Sequence, residues 1–116
     1  MTQLHRIVVS VSALDRSLRF YRDLLGLRAS VTEQGAARLP VGGGGTELFL
    51  HERDSQPSDL AVALSFRVSE LDETCARWAA GGGVVVDEPA DQPWGERMAV
   101  VRDPDGHLVC LTRGHG

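Results

Sequence analysis

The chain repeats itself. Val11-Ser12-Ala13-Leu14-Asp15-Arg16-Ser17 is matched by Val68-Ser69-Glu70-Leu71-Asp72-Glu73-Thr74, and the same offset carries Leu18 to Cys75, Tyr21 to Trp78 and Gly26 to Gly83. Such self-similarity constrains architecture before any single residue does, because each copy must be one supersecondary unit with the same plan of burial. Two copies make a duplicated domain and no solenoid. A length of 116 residues fits one domain spanning 1–116 with a real core.

Each copy opens as a strand and then a helix. Ile7, Val9 and Val11 alternate with Arg6, Val8 and Ser10, and Leu64, Phe66 and Val68 alternate with Ala63, Ser65 and Arg67. Ser12 and Ser69 stand three residues before Asp15 and Asp72, the spacing of a capping box opening each helix. Leu14, Leu18, Tyr21 and Leu25 then form one apolar stripe at helical spacing, closed by Gly26, where a left-handed residue is wanted. The second helix carries Leu71, Cys75 and Trp78 on the matching stripe and stops in Gly81-Gly82-Gly83. Three strands are expected after each helix, at about 27–33, 36–41 and 46–51, then about 84–88, 96–102 and 107–113. Asp103-Pro104-Asp105-Gly106 is a hairpin turn, since Pro presets φ and Gly accepts positive φ. The expected architecture is α+β: two βαβββ modules, about 4–51 and 60–113, joined by a linker at 52–59.

Composition removes several classes of function. A net charge of −4 with no basic cluster argues against a nucleic-acid partner. The longest apolar run, 60–64, is far short of the roughly 20 residues of a membrane span. The first residues form no secretory signal, and Cys75 and Cys110 make neither a CxxC motif nor a disulfide framework, so a cytoplasmic location is expected. The glycine runs lack phosphate-cradle spacing, and the Asp103 turn lacks the remaining ligands of a calcium loop.

The stretch Val11-x-x-Leu14-Asp15-Arg16-Ser17-Leu18-Arg19-Phe20-Tyr21-Arg22-Asp23-Leu24-Leu25-Gly26-Leu27, with Pro93-Trp94-Gly95 and Asp103-Pro104-Asp105-Gly106-His107, resembles the vicinal oxygen chelate superfamily of glyoxalase, bleomycin-resistance and extradiol-dioxygenase proteins. The resemblance covers about 4–113. It implies that each sheet curls into a half-cup with its helix outside, that the inner faces form a cavity, and that the protein is a homodimer. Ile7, Val9, Val11 and Leu64, Phe66, Val68 would then face the helices. The alternate residues would line the cup: Arg6, Val8, Ser10, Glu47, Phe49 and His51 in one module, Ala63, Ser65, Arg67, Leu108, Cys110 and Thr112 in the other.

Metal-dependent members of the superfamily hold their ion with residues of the first and last strand of each module. Those positions fall here on Arg6, Glu47, Ala63 and Cys110. Alanine has no donor and arginine brings a fixed charge. Glu47 is a good hard ligand and Cys110 a conditional one, and two do not make the usual three. His5, one residue from the expected place, points to the other face of its strand. No cofactor is expected, a divalent metal held by Glu47 being the alternative.

Other chemistry centres on the same residues. Glu47 is a catalytic base, a ligand-binding carboxylate, or one half of a salt bridge to Arg6 or Arg67. Two guanidiniums against one carboxylate leave a positive cavity suited to an anionic ligand. Phe49 and Trp94 stack on a planar ligand, or they pack, Phe49 in the core and Trp94 as a loop cover. His51 is an acid/base at the rim or a solvated strand end, His107 a turn residue and His115 a tail residue. Cys75 is a core residue, and Cys110 is a nucleophile only if a cation lowers its pKa. The leading expectation is a metal-free small-molecule-binding protein of the antibiotic- or metabolite-sequestering kind. Its rivals are a divalent-metal lyase, isomerase or dioxygenase using Glu47, a metal-free enzyme with Glu47 as base, and a regulatory or purely structural dimer.

Overall fold

The computed structural model describes residues 2–32, 34–59 and 61–113. The strand end expected at Glu33 and the tail residue His115 lie outside the described residues. The chain divides into two compact units, Met1–Ser55 and Gln56–Gly116.

The first unit runs β1 (Arg6–Val11), α1 (Leu14–Leu18, continuing as a π-helical segment Arg19–Leu24), β2 (Ser30–Val31), β3 (Ala36–Val41) and β4 (Thr46–Glu52). Its sheet has the order β1-β4-β3-β2, with β1 parallel to β4 and the other pairs antiparallel. The second unit runs β5 (Leu64–Arg67), α2 (Leu71–Ala80), β6 (Val84–Asp91), β7 (Arg97–Arg102) and β8 (Leu108–Arg113), in the order β5-β8-β7-β6 with β5 parallel to β8. The repeat in the sequence is therefore a repeat of topology: two βαβββ modules, each with a four-stranded mixed sheet.

Strand residues and the helix stripes together supply the core of each unit. Val9, Val11, Leu39, Leu48 and Leu50 are buried in the first unit together with Leu14, Leu18 and Tyr21 of the helix. In the second, Leu71, Cys75 and Trp78 of α2 are buried along with Val101, Val109 and Leu111. Each fully buried aliphatic side chain contributes about 1.5–3 kcal/mol. Trp78 also satisfies its polar edge, its indole N–H donating to the Arg102 carbonyl at 2.8 Å.

Local expectations need correction at four places. Neither helix is opened by its serine: Ala13 and Glu70 are the N-caps, without a side-chain cap bond. The N–H of Leu14 instead donates to Glu52 Oε2 at 2.8 Å, and Ser12 Oγ accepts from Arg16. The first helix is not α throughout. Leu25 N–H reaches back to the Phe20 carbonyl at 2.9 Å, a five-residue step, so the stripe slips: Phe20 and Tyr21 are both buried and Leu25 is only half-buried. The strand expected at 27–33 pairs only at Ser30 and Val31. β6 runs on through Pro89 to Asp91, because an edge strand with register shifts tolerates a missing N–H. The Asp103 turn forms as expected, with Asp103 Oδ1 accepting from the backbone N–H of Asp105 and of His107 and Gly106 at φ 83°.

Candidate functional site

The residues that resemble a site are set by strand register. On β1 and β4 the pairs are Arg6 with Glu47, Val8 with Phe49 and Ser10 with His51. Across the other edge of β4, Glu47 pairs with Pro40, Phe49 with Arg38 and His51 with Ala36. In-register neighbours share a face. Since Leu48 and Leu50 point into the core, these nine residues lie on the opposite face of the first sheet, where all but the buried Ala36 are at least partly exposed.

Glu47 is the electrostatic centre of that face. Its Oε2 accepts from Arg6 Nε at 2.8 Å, and Arg38 Nε stands 3.9 Å away, a longer approach. The carboxylate is largely sheltered at 16% exposure, against 27% for the Arg6 and 57% for the Arg38 side chain. Arg6 also lies over Phe49, its Cζ 4.3 Å from the ring centroid, a cation–π contact. His51 meets the same ring edge-on at 5.9 Å. Phe49 is thus half-buried under a guanidinium and is not a core residue, which corrects the packing expectation. Arg53 joins the face by donating from Nε to Ser10 Oγ at 2.7 Å.

Arg6, Glu47, Phe49 and His51 are therefore brought together, with Arg6 as the partner of Glu47. Arg38 was missed, although period-two alternation from Ala36 already put it on the face of Phe49. The expected alternative partner, Arg67, belongs to the second unit.

There, Ser65 pairs with Cys110 and Arg67 with Thr112, and Ser65 and Arg67 are exposed. Ala63 precedes β5 and is not part of it. Cys110 is half-buried, and burial pushes its thiol above the ordinary value, which disfavours the nucleophilic thiolate. Trp94 sits in the turn closed by Gly95 N–H to the Gln92 carbonyl and is 60% exposed. Its indole N–H donates to Glu96 Oε1 at 2.8 Å, while Glu96 Oε2 accepts from the Thr112 hydroxyl at 3.0 Å. Glu96, also missed from the sequence, thereby moors the tryptophan to β8. His107 is a turn residue whose Nδ1 accepts from the Ser58 N–H. His5 precedes β1 and is exposed, its carbonyl accepting from Glu47 N–H.

These residues do not fit the divalent metal that the resemblance offers. Among the described residues, no three His, Cys, Asp or Glu side chains stand together as a ligand group. A cation at Glu47 would also have to displace the Arg6 guanidinium and sit beside that of Arg38.

The sequence profile described as Glyoxalase/Bleomycin resistance protein/Dioxygenase superfamily matches residues 3–111. A probable lactoylglutathione lyase of Synechocystis sp. is 32% identical over a 126-residue alignment covering 97% of this chain and 95% of the lyase. The crystal structure of a glyoxalase-related enzyme from Fulvimarina pelagi shares the fold, with a TM-score of 0.83 at 21% identity over 98% of this chain and 89% of that one. TnmS3, an antibiotic binding protein from Streptomyces sp. CB03234, gives a TM-score of 0.72 at 25% identity, covering 99% and 98% of the two chains.

Proposed function

The chain belongs to the glyoxalase/bleomycin resistance protein/dioxygenase superfamily, and from that premise we propose that it binds a small organic molecule without the help of a catalytic metal ion. The observation that carries this reading is the Arg6–Glu47 ion pair at 2.8 Å. It puts a fixed guanidinium where the superfamily resemblance places a metal ligand, and it engages the best oxygen donor of the set. Sequestration asks only for shape, hydrogen bonds and charge, so a site without a catalytic centre is sufficient for it. The likeness to an antibiotic binding protein supports the same reading. The homodimer implied by the resemblance belongs to the proposal and is checked by sedimentation.

The likeness to a probable lactoylglutathione lyase favours a second reading, a divalent-metal-dependent lyase or isomerase with Glu47 as a ligand. One experiment separates the two. Untagged protein purified without chelator is analysed for metal per chain, then refilled with Ni, Zn, Mn or Fe while Tm is followed. Less than about a tenth of an ion per chain and no stabilisation on refilling supports the binding protein. About one tight ion per chain, with a Tm that rises with metal concentration, overturns it in favour of the lyase.

A further inference from the structure

The open face of the first sheet is a small grid with an uneven distribution of charge. Its middle row runs Val8, Phe49, Arg38 across β1, β4 and β3, and the row beside it begins Arg6, Glu47. With Arg53 tied to Ser10, the face carries three guanidiniums and one carboxylate among the described residues, in a chain whose net charge is −4. A basic face on an acidic chain selects for an anion by Coulomb attraction.

The three arginines are not equivalent. Arg6 is held at its Nε by Glu47 and laid over Phe49, so it is fixed as a flat cationic surface. Guanidiniums stack on aromatic planes. Among the described residues Arg38 has one charged partner, Glu47 at 3.9 Å, beyond hydrogen-bond reach, and at 57% exposure its fork of donors faces solvent, where a ligand can meet it. His51 meets the Phe49 ring in a T-shaped contact and bonds no described residue through its nitrogens. Val8, 52% exposed, completes an apolar strip beside Phe49.

Resting on the small-molecule-binding reading of this site, we propose that its ligand is a planar organic monoanion of the aromatic carboxylate class. The ring stacks on the Arg6 guanidinium over Phe49 and Val8, and the carboxylate takes the Arg38 fork with His51 beside it. Two strand spacings of about 4.8 Å separate Val8 from Arg38, a span of about 10 Å that suits an aryl or fused-ring acid. Glu47 sets the charge. Lying 3.9 Å from Arg38, its carboxylate repels a second negative charge on the ligand and so favours a carboxylate over a dianionic phosphate ester.

The test uses the full chain, after metal analysis, and three probes with one ring system: 2-naphthoate, the neutral 2-naphthalenemethanol and the dianionic 2-naphthyl phosphate, titrated calorimetrically at low salt. The acid is expected to bind at least about tenfold tighter than the alcohol and tighter than the phosphate. Arg38→Gln, an exposed substitution, is expected to abolish the advantage of the acid over the alcohol, and Glu47→Gln to move the preference toward the phosphate. Equal binding of acid and alcohol, a phosphate preferred by the wild type, an unaffected Arg38→Gln, or no binding of the acid each overturns the assignment. If the protein is metal-free and the acid is still not preferred, the ligand class alone fails. Tight metal in the first analysis overturns the underlying reading itself.

Discussion

Glu52, the last residue of β4, accepts a hydrogen bond from the backbone N–H of Leu14, the first residue of α1, at 2.8 Å across a separation of 38 residues. The first helix is therefore capped by tertiary structure. In place of the expected serine cap, the sheet brings in a carboxylate, and its negative charge also suits the positive end of the helix. Glu52→Ala should cost about 1 kcal/mol in urea denaturation, like the loss of an N-cap, and Ser12→Ala only a few tenths. The reverse order would return the cap to Ser12.

The Arg6–Glu47 pair makes a second prediction. Glu47→Leu leaves a half-sheltered guanidinium without its carboxylate and should destabilise the fold by about 1–3 kcal/mol. Adding Arg6→Met should recover part of that loss, because the uncompensated charge is gone and a flexible side chain still covers Phe49. A double-mutant cycle giving a coupling of at least about 0.5 kcal/mol fits the pair, and additive losses would not.

The two tryptophans should behave as opposites. Trp78→Phe removes the indole bond to the Arg102 carbonyl from a fully buried ring and is expected to cost about 1–3 kcal/mol, while Trp94→Phe should change stability by less than about 0.5 kcal/mol. Emission of the Trp94→Phe variant, which reports Trp78 alone, should lie to the blue of emission from Trp78→Phe. Similar maxima would contradict the burial of Trp78 and the 60% exposure of Trp94.

Burial pushes the thiols of both Cys75 and Cys110 above the ordinary value of 9.0, with Glu88 and Asp72 adding to the shift at Cys75. A folded-state pKa above the unfolded one means that the fold holds the proton more tightly. The stabilisation is therefore fully present below the unfolded thiol pKa and is lost as pH rises through the folded one. The urea midpoint should fall as pH rises above about 9, and the fall should be shallower in a Cys75→Ala/Cys110→Ala variant. An identical slope in both proteins would assign the pH dependence to other groups.

Sequence patterning anticipated the architecture because burial imposes periods that survive in the text of the chain. The repeat from Val11 to Val68 predicted two modules of one topology. Alternation at Val9 and Val11 in the strand, and the stripe Leu71, Cys75, Trp78 in the helix, mark residues that are buried in the fold. The same alternation placed Arg6, Glu47, Phe49 and His51 on one face, since parity along a strand decides the side. Asp103-Pro104-Asp105-Gly106 carried its turn in local chemistry alone.

What the sequence did not decide depends on neighbours distant along the chain. Parity could not say which of Arg6, Arg38 and Arg67 would meet Glu47; the parallel register of β1 with β4 did that, pairing Arg6 with Glu47 directly. It could not foresee that Glu52, and not Ser12, would cap the first helix, or that a π-helical turn would bring Phe20 and Tyr21 inward together. Nor could it place Phe49 under a guanidinium or moor Trp94 through Glu96 to Thr112. Local periodicity is written by which side of an element meets water, so it is legible in order along the chain. Pairing of charges and donors depends on distances of a few ångströms between residues tens of positions apart, and only tertiary structure supplies those distances.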